Sequence, residues 1–480
     1  MDLLELTIQK FHFAIRNHSL SVADVVSFYL ERIARFDQQI NSIILVNPQA
    51  LEQAKALDDA FARDGELTGP LHGVPVLLKD NIETIDMPTS AGSLLLNEFY
   101  SKRDAFIVKK LKNAGAIIIA KTNLHEFAVW GETVSSILGQ TLNPYDLSRT
   151  PGGSSGGTGA ALAANFGLVG IGTDSVNSVR SPSSANNLVG LRPSIGSVSR
   201  SGIVPYTLTQ DTAGAMARCA EDVALVQSVI EGYDPLDPVT AWGKRFGKEY
   251  GFFERTPVLK GRRLGVLRSF FGTGEEAEPV NLVMAEALKE FAVAGVELID
   301  LDETITSPEV QERASVHLFE LKRDLNAYLK ETGAPVDSLQ AILASKQYHS
   351  SLEQNLIEAQ SLSTDSPIYN QKLAEQGKLR EWLVNLLAAN DLEGILYPHQ
   401  QMLVCKVGGS QRLRNGVLAS VTGFPSICLP VGFSRPDKSA SIGVPVGMEI
   451  IAEPFSENRL LDLAREFDIF PKHKPPLFKD

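Results

Sequence analysis

Apolar positions return at helical spacing in Val22–Phe36, where Val25, Val26, Tyr29, Leu30 and Ile33 share one face. Ser21 precedes that run and Asp24 stands three residues on, so the pattern predicts a helix opened by a capping box. A second helix is predicted from Pro48 to Arg63, with Asn47 as cap and Gly65 as stop. Shorter apolar runs then alternate with helical ones. Val74–Leu78 reads as a buried strand, Asp104 caps a helix through Val108, Leu111 and Lys112 to Gly115, and Ala116–Ala120 reads as the next strand. A small-residue helix over Thr158–Asn165 leads to a strand over Gly167–Gly172. From Gly261 the alternation resumes, with a strand at Arg263–Leu267, a helix at Pro279–Ala294, a stop at Gly295 and a strand at Val296–Ile299. Residues 307–390 are rich in charge and helix formers and place Leu318, Leu321, Leu325 and Tyr328 on one face, which predicts a helical lobe. Strand-like runs at Gly394–Tyr397, Ser426–Leu429 and Gly447–Ile451 bring the end of the chain back into the sheet. Repeated αβ units build a sheet covered by helices, so residues 1–480 are expected to form a single α/β domain with 307–390 as an insertion within it.

Composition narrows the function classes. The 480 residues are 44% hydrophobic, and 45 basic against 57 acidic residues give a net charge of −12. That balance favours solubility and offers no electrostatic footprint for nucleic acid. Cys219, Cys405 and Cys428 are too few and too scattered for a disulfide framework or a zinc knuckle. No HExxH or CxxC pattern occurs, so neither a metal nor another cofactor is expected. The first residues are acidic where a signal peptide is basic, and no run reaches the ~18 apolar residues that span a bilayer. A cytoplasmic protein without a membrane anchor is the expectation, and a homodimer is compatible with it.

The densest chemistry lies in Gly152–Gly157, which packs four glycines and two serines into six positions. Gly152-Gly-Ser-Ser-Gly156 matches the spacing of a nucleophile elbow, but Asn143-Pro-Tyr-Asp146 and Pro151 precede it where a hydrophobic strand belongs. A phosphate cradle has the glycine amides and lacks both the preceding strand and the P-loop lysine. A third reading joins these serines to Ser178 and to Lys79, which arrives at the end of the Val74–Leu78 strand. Such a lysine either snorkels outward as a surface charge or, turned inward among apolar neighbours, loses its proton and becomes a base. His125 and Glu126 are adjacent, do not face one another on a helix, and read as structural hydrogen-bonding residues.

Lys79-Asp-Asn81, Lys121-Thr-Asn123, Asn143-Pro, Pro151-Gly-Gly-Ser-Ser-Gly-Gly157, Gly172-Thr-Asp174, Ser178-Val-Arg180 and Gly190-Leu-Arg-Pro193 stand in an order and spacing that resemble the amidase signature family. The resemblance covers roughly Leu20–Ala220 and returns around Thr422-Gly-Phe-Pro425. It implies a mixed central β-sheet covered by helices on both faces, and a Ser-cisSer-Lys triad. By that resemblance Ser178 would be the nucleophile, Ser154 the bridging serine and Lys79 the base; the interval of 24 positions from 154 to 178 agrees with the family's and so picks Ser154 over Ser155. Backbone N–H groups of Ser175, Val176, Asn177 and Ser178 would form the oxyanion hole. Chemically the set is coherent, because a serine must hand its proton on as it attacks and an intervening hydroxyl can relay it to a neutral amine.

One departure concerns Val176-Asn177, where the family has two glycines. Backbone donors survive that change, but a valine resists positive φ, so Val176 must adopt an ordinary conformation for the site to work. Asp174 and Arg180 are read as a buried ion pair holding the loop. Trp130, Phe127 and Tyr397 are candidates for lining an acyl pocket, and His399-Gln400-Gln401 with Lys406 and Arg414 stand either near a substrate entrance or in a plain polar loop. The resemblance implies an amidase that releases ammonia or an amine from a small-molecule amide. The alternatives are a glutaminase-type subunit of a transfer-RNA-dependent amidotransferase and a non-catalytic binding protein with the same fold.

Overall fold

The structure is a computed structural model that describes residues 3–245 and 258–467. In chain order its strands are β1 (Ile43–Val46), β2 (Pro75–Lys79), β3 (Ile117–Thr122), β4 (Val134–Ser135), β5 (Gly139–Gln140), β6 (Val169–Asp174) and β7 (Val189–Arg192). They continue with β8 (Thr212–Ala217), β9 (Arg263–Leu267), β10 (Glu297–Leu301), β11 (Gly394–Pro398), β12 (Ser426–Phe433) and β13 (Pro445–Ile451). All but β4 and β5, which form a small hairpin, join one 11-stranded mixed sheet in the order β1-β3-β2-β6-β8-β7-β12-β13-β11-β9-β10. The strands from the last part of the chain therefore sit in the same sheet as those from the first.

At the heart of one half, β2 lies between β3 and β6 and runs parallel to both. Every residue of these three strands is buried. That explains why their sequences read as continuous apolar runs instead of alternating ones, since helices cover both faces of a parallel sheet. The outer strand β10 keeps only Leu301 fully buried, as an edge strand does. Between β10 and β11 the chain is helical throughout, with helices at Ser307–Ala314, His317–Thr332, Leu339–Ser345, Glu353–Ser361 and Pro367–Ala389. Leu321, Leu325 and Leu329 of the second pack into a core that also takes in Phe127, Val204 and Tyr206. The helical region thus closes over the loops that follow β3 and precede β8.

Local signals worked well where the cap lies next to the helix. Ser21 and Asp24 form the expected reciprocal cap of Val22–Phe36, and Gly65 ends the next helix at φ 71°. Three starts differ from expectation. The second helix begins at Ala50, because the Asn47 side chain accepts from the Gln49 N–H in a turn of its own (2.9 Å) and leaves Gln49 as the capping position. Asp104 does not cap the helix Phe106–Asn113, since its carboxylate is taken by the Ile85 N–H and by Lys112. The small-residue helix spans Gly156–Ala163 and so starts inside the glycine cluster. Lys79 is the last residue of β2 itself, with its side chain fully buried.

Candidate active site

Parallel β2 and β6 end side by side, and in open α/β sheets the carboxyl ends of strands are where sites form. Lys79 ends β2, and Thr173 is the penultimate residue of β6. Lys79 Nζ lies 2.8 Å from Ser154 Oγ, 2.7 Å from Thr173 Oγ1 and 3.4 Å from the Thr173 carbonyl oxygen. Burial lowers the lysine pKa to about 7, against the pull of the Asp174 and Asp211 charges, which raise it. A neutral amine has two N–H bonds and one lone pair. With the N–H bonds directed at the two Thr173 oxygens, the lone pair is left facing Ser154. Asn81 Nδ2 donates to Thr173 Oγ1 (3.1 Å) and fixes that hydroxyl in turn.

Ser154 is presented by the glycine-rich loop, and the Gly153–Ser154 peptide bond is cis. The loop is held from several sides. Thr133 Oγ1 donates to the Gly152 carbonyl (2.7 Å) and accepts from the Gly156 N–H (3.0 Å), while the His125 N–H donates to the Ser154 carbonyl (3.0 Å). A Cβ on Gly153 would meet Thr133 Oγ1 at 2.7 Å and Gly131 at 2.8 Å, so close approach of backbone to backbone requires glycine there. Ser155 points elsewhere: its hydroxyl donates to the Thr173 carbonyl (3.2 Å) and accepts from the Thr173 N–H (3.3 Å), tying the loop to β6. The geometry therefore separates the adjacent serines, with Ser154 on the lysine and Ser155 on the backbone.

The segment from Asp174 to Arg180 crosses beside this pair. Arg180 holds Asp174 through two nitrogens (3.0 and 3.1 Å), Arg192 reaches Asp174 Oδ1 at 2.9 Å, and Arg180 Nη1 bonds Glu449. All four charged side chains are completely buried. Burial pushes the Asp174 carboxyl up, but the two guanidinium charges outweigh it and hold it well below the usual carboxylate range. The expected Asp174–Arg180 pair is thus part of a larger cluster, and Arg192 and Glu449 are members that short-range reasoning missed. Arg192 carries a signal only as part of the Gly190–Pro193 motif; nothing local to Glu449 marks it.

Val176 does not have positive φ, so the valine sits in ordinary backbone. The backbone N–H groups of Val176, Asn177 and Ser178 find no acceptor among the described residues. Ser178 is 5% exposed, and its carbonyl accepts from the Ser155 N–H at 3.2 Å. Ser175, Val176, Asn177 and Ser178 line one side of a cavity whose other walls are Ala128, Trp130, Tyr206, Gln311, His317 and Arg414. A second cavity shares Ala128, Ser175 and Tyr206 with the first and is bounded by Asn81, Thr173 and Asp211.

Of the three expected pocket residues only Trp130 reaches the cavity. Phe127 is buried in the core beneath the helical region, and Tyr397 is buried in β11 with its hydroxyl donating to Glu449 (3.0 Å) and its ring 5.0 Å from that of Phe270. Both are packing residues, because an aromatic side chain on an interior strand or in a closed cluster has no face left for a ligand. His399 is likewise interior, with Nδ1 2.7 Å from Glu449, whereas Arg414 from the same loop lines the cavity and Lys406 is exposed. His125 and Glu126 do act structurally: His125 Nδ1 accepts from the Glu132 N–H, and Glu126 accepts from the Ser136 and His349 N–H groups. No cluster of three or more His, Cys, Asp or Glu side chains placed to hold a metal occurs among the described residues, and no helix there is long and apolar enough to cross a membrane.

Comparison with known proteins gives the family. A family model described as Amidase matches residues 24–461. A probable amidase of Arabidopsis thaliana is 32% identical, covering 99% of this chain and 92% of the relative. A glutamyl-tRNA(Gln) amidotransferase subunit of Acinetobacter baumannii is 32% identical over 97% of this chain and 96% of the relative. The crystal structure of the native peptide amidase of Stenotrophomonas maltophilia superimposes with a TM-score of 0.86 at 31% identity, covering 99% of each chain. A family match over nearly the whole length, with relatives about a third identical across almost all of the chain, shows that the chain belongs to the amidase family of amide C–N hydrolases.

Proposed function

We propose that the protein hydrolyses a carboxylic amide through an acyl-enzyme on Ser178, with Ser154 relaying the proton to Lys79. The observation that carries this reading is the 2.8 Å contact between Lys79 Nζ and Ser154 Oγ, made by a lysine whose pKa burial has lowered to about 7. Ser178 Oγ attacks the amide carbonyl carbon and passes its proton to Ser154 Oγ as the Ser154 proton moves to Lys79 Nζ. The carbonyl oxygen becomes an oxyanion beside the unpaired N–H groups of Val176, Asn177 and Ser178, donors that need no reorganisation to meet it. The C–N bond then breaks as the proton returns through Ser154 to the leaving nitrogen. Water attacks the ester along the same relay and frees the carboxylic acid and Ser178.

A second reading, supply of ammonia to a partner, rests on the relatives that are glutamyl-tRNA(Gln) amidotransferase subunits. Ammonia release by the isolated chain from simple primary amides separates the two, since a protein that waits for its partners leaves them intact. A fluorophosphonate should label the Ser178 peptide, and Ser178→Ala should abolish both labelling and turnover. Ser178→Ala with parental turnover would exclude the acyl-enzyme.

A further inference from the structure

Arg414 lines the cavity of Ser178, and its guanidinium makes no hydrogen bond among the described residues. The guanidinium carbon lies 5.0 Å from the centre of the Trp130 ring, a cation–π contact that itself spends none of the N–H donors. No hydrogen bond from that guanidinium, and no carboxylate within 4 Å of it, is found among the described residues. Glu132, the acid nearest in sequence to Trp130, lends Arg414 a nearby negative charge but makes no ion pair with it within 4 Å: Oε1 accepts from the Gln411 N–H at 2.7 Å and Oε2 is 3.7 Å from His125. His317, which also lines the cavity, has its pKa lowered to about 4 by burial, so it is neutral and brings no competing charge.

The seat for this cation is built by the fold. A Cβ on residue 131 would lie 2.0 Å from Arg414 Nη1, so Gly131 is the hollow into which the guanidinium fits. The Trp130 ring above it is steadied by its own N–H, which donates to Ser410 Oγ (3.4 Å). A cation oriented by an aromatic face and a missing side chain, half-buried, and left without an acceptor is matched by a planar anion taking two parallel N–H bonds. The structure assigns Arg414 as the anchor for a carboxylate on the acyl side of the substrate, so that the preferred substrates are amides that also carry a carboxylate a few bonds from the scissile bond. This assignment rests on the hydrolase reading of Ser178 and names its substrate class.

The test uses the purified chain and matched pairs of primary amides: succinamate, glutaramate and adipamate against butanamide, pentanamide and hexanamide. The expected result is that the acid member of at least one pair has the higher kcat/KM, and that Arg414→Gln lowers the acid-to-neutral ratio about 100-fold, chiefly through KM, with Arg414→Lys recovering part of it. A parent that favours the neutral member of every pair overturns the assignment, as does a ratio that Arg414→Gln leaves unchanged. Calorimetric titration with succinate, glutarate and adipate supplies an arm that needs no turnover. If the parent hydrolyses nothing yet binds one of these dicarboxylates and Arg414→Gln does not, the acyl-enzyme fails and the anchor stands. If the parent is active and binds none of them, the acyl-enzyme stands and the anchor fails.

Discussion

Two lysines at the same end of neighbouring strands have opposite fates. Lys79 on β2 and Lys121 on β3 are both completely buried, one register position apart in a parallel ladder. Lys121 meets Asp80 at 2.9 Å and the Pro88 carbonyl at 3.0 Å, and Asp80 is in turn bonded to the Ser90 N–H. Lys79 meets only hydroxyls and a carbonyl, and no carboxylate lies within 4 Å of it among the described residues. A buried amine beside a carboxylate is a structural cation. One surrounded by neutral oxygens is driven towards its uncharged form, and only that form can accept a proton.

The contrast breaks most visibly in activity. Lys79→Met should reduce kcat/KM by roughly 10² to 10⁴-fold, the range for a lost general base, while the fold persists because a hydrophobic chain replaces a desolvated amine. Steady-state rates beside a thermal melt would show it. The parent enzyme sharpens the same point through pH. Since the lowered pKa sits at about 7, kcat/KM should rise with pH through that value and fall by about tenfold per unit below it, as the protonated amine has no lone pair for Ser154. A profile flat from pH 5 to 8 would remove Lys79 as the base.

At the other lysine the larger effect should be on stability. Lys121→Met strands the Asp80 carboxylate in the interior and should cost about 3–5 kcal/mol, read from urea unfolding. Loss of Asp80 together with Lys121, as in a double change to Met and Leu, should recover much of it, because no buried charge is then left unpaired. Smallest is the stability cost expected at the adjacent serines, which should differ instead in rate. Ser155→Ala removes hydrogen bonds to the Thr173 backbone and should cost about 0.5–1.5 kcal/mol with activity retained within roughly tenfold. Ser154→Ala, which would cut the proposed relay, should lose far more rate than stability. Equal effects at the two positions would dissolve the distinction drawn from the 2.8 Å contact.

Much of this was legible along the chain. Apolar runs marked β2, β3, β6, β9 and β11 to within a few residues, because buried parallel strands and amphipathic helices impose their own periods on the sequence. The resemblance to the amidase signature family singled out Lys79, Ser154 and Ser178, and an inward-turned lysine is one of the two readings its position allows. Less was legible where an assignment depended on what a side chain meets. Phe127, Tyr397 and Trp130 are all large aromatics near motif residues, yet two are interior packing and one faces the cavity. Thr133, which props the Ser154 loop by two hydrogen bonds, carried no signal at all, since an isolated threonine has no pattern to show.

What the sequence by itself determined is the set of elements, the order of the motif residues and the chemical logic of a serine with a lysine and no histidine. The elements follow from local rules, in which each residue's neighbours along the chain decide its conformation, and the motif residues and their chemistry follow from the family resemblance. Only the tertiary structure decided that Lys79 finds Ser154, 75 positions away, while Lys121 finds Asp80, and that Arg414 meets the Trp130 ring in the cavity of Ser178. The reason is that a buried charge takes its character from whatever the fold places within about 4 Å of it, and that neighbour is chosen by strand register and loop packing rather than by spacing in the chain.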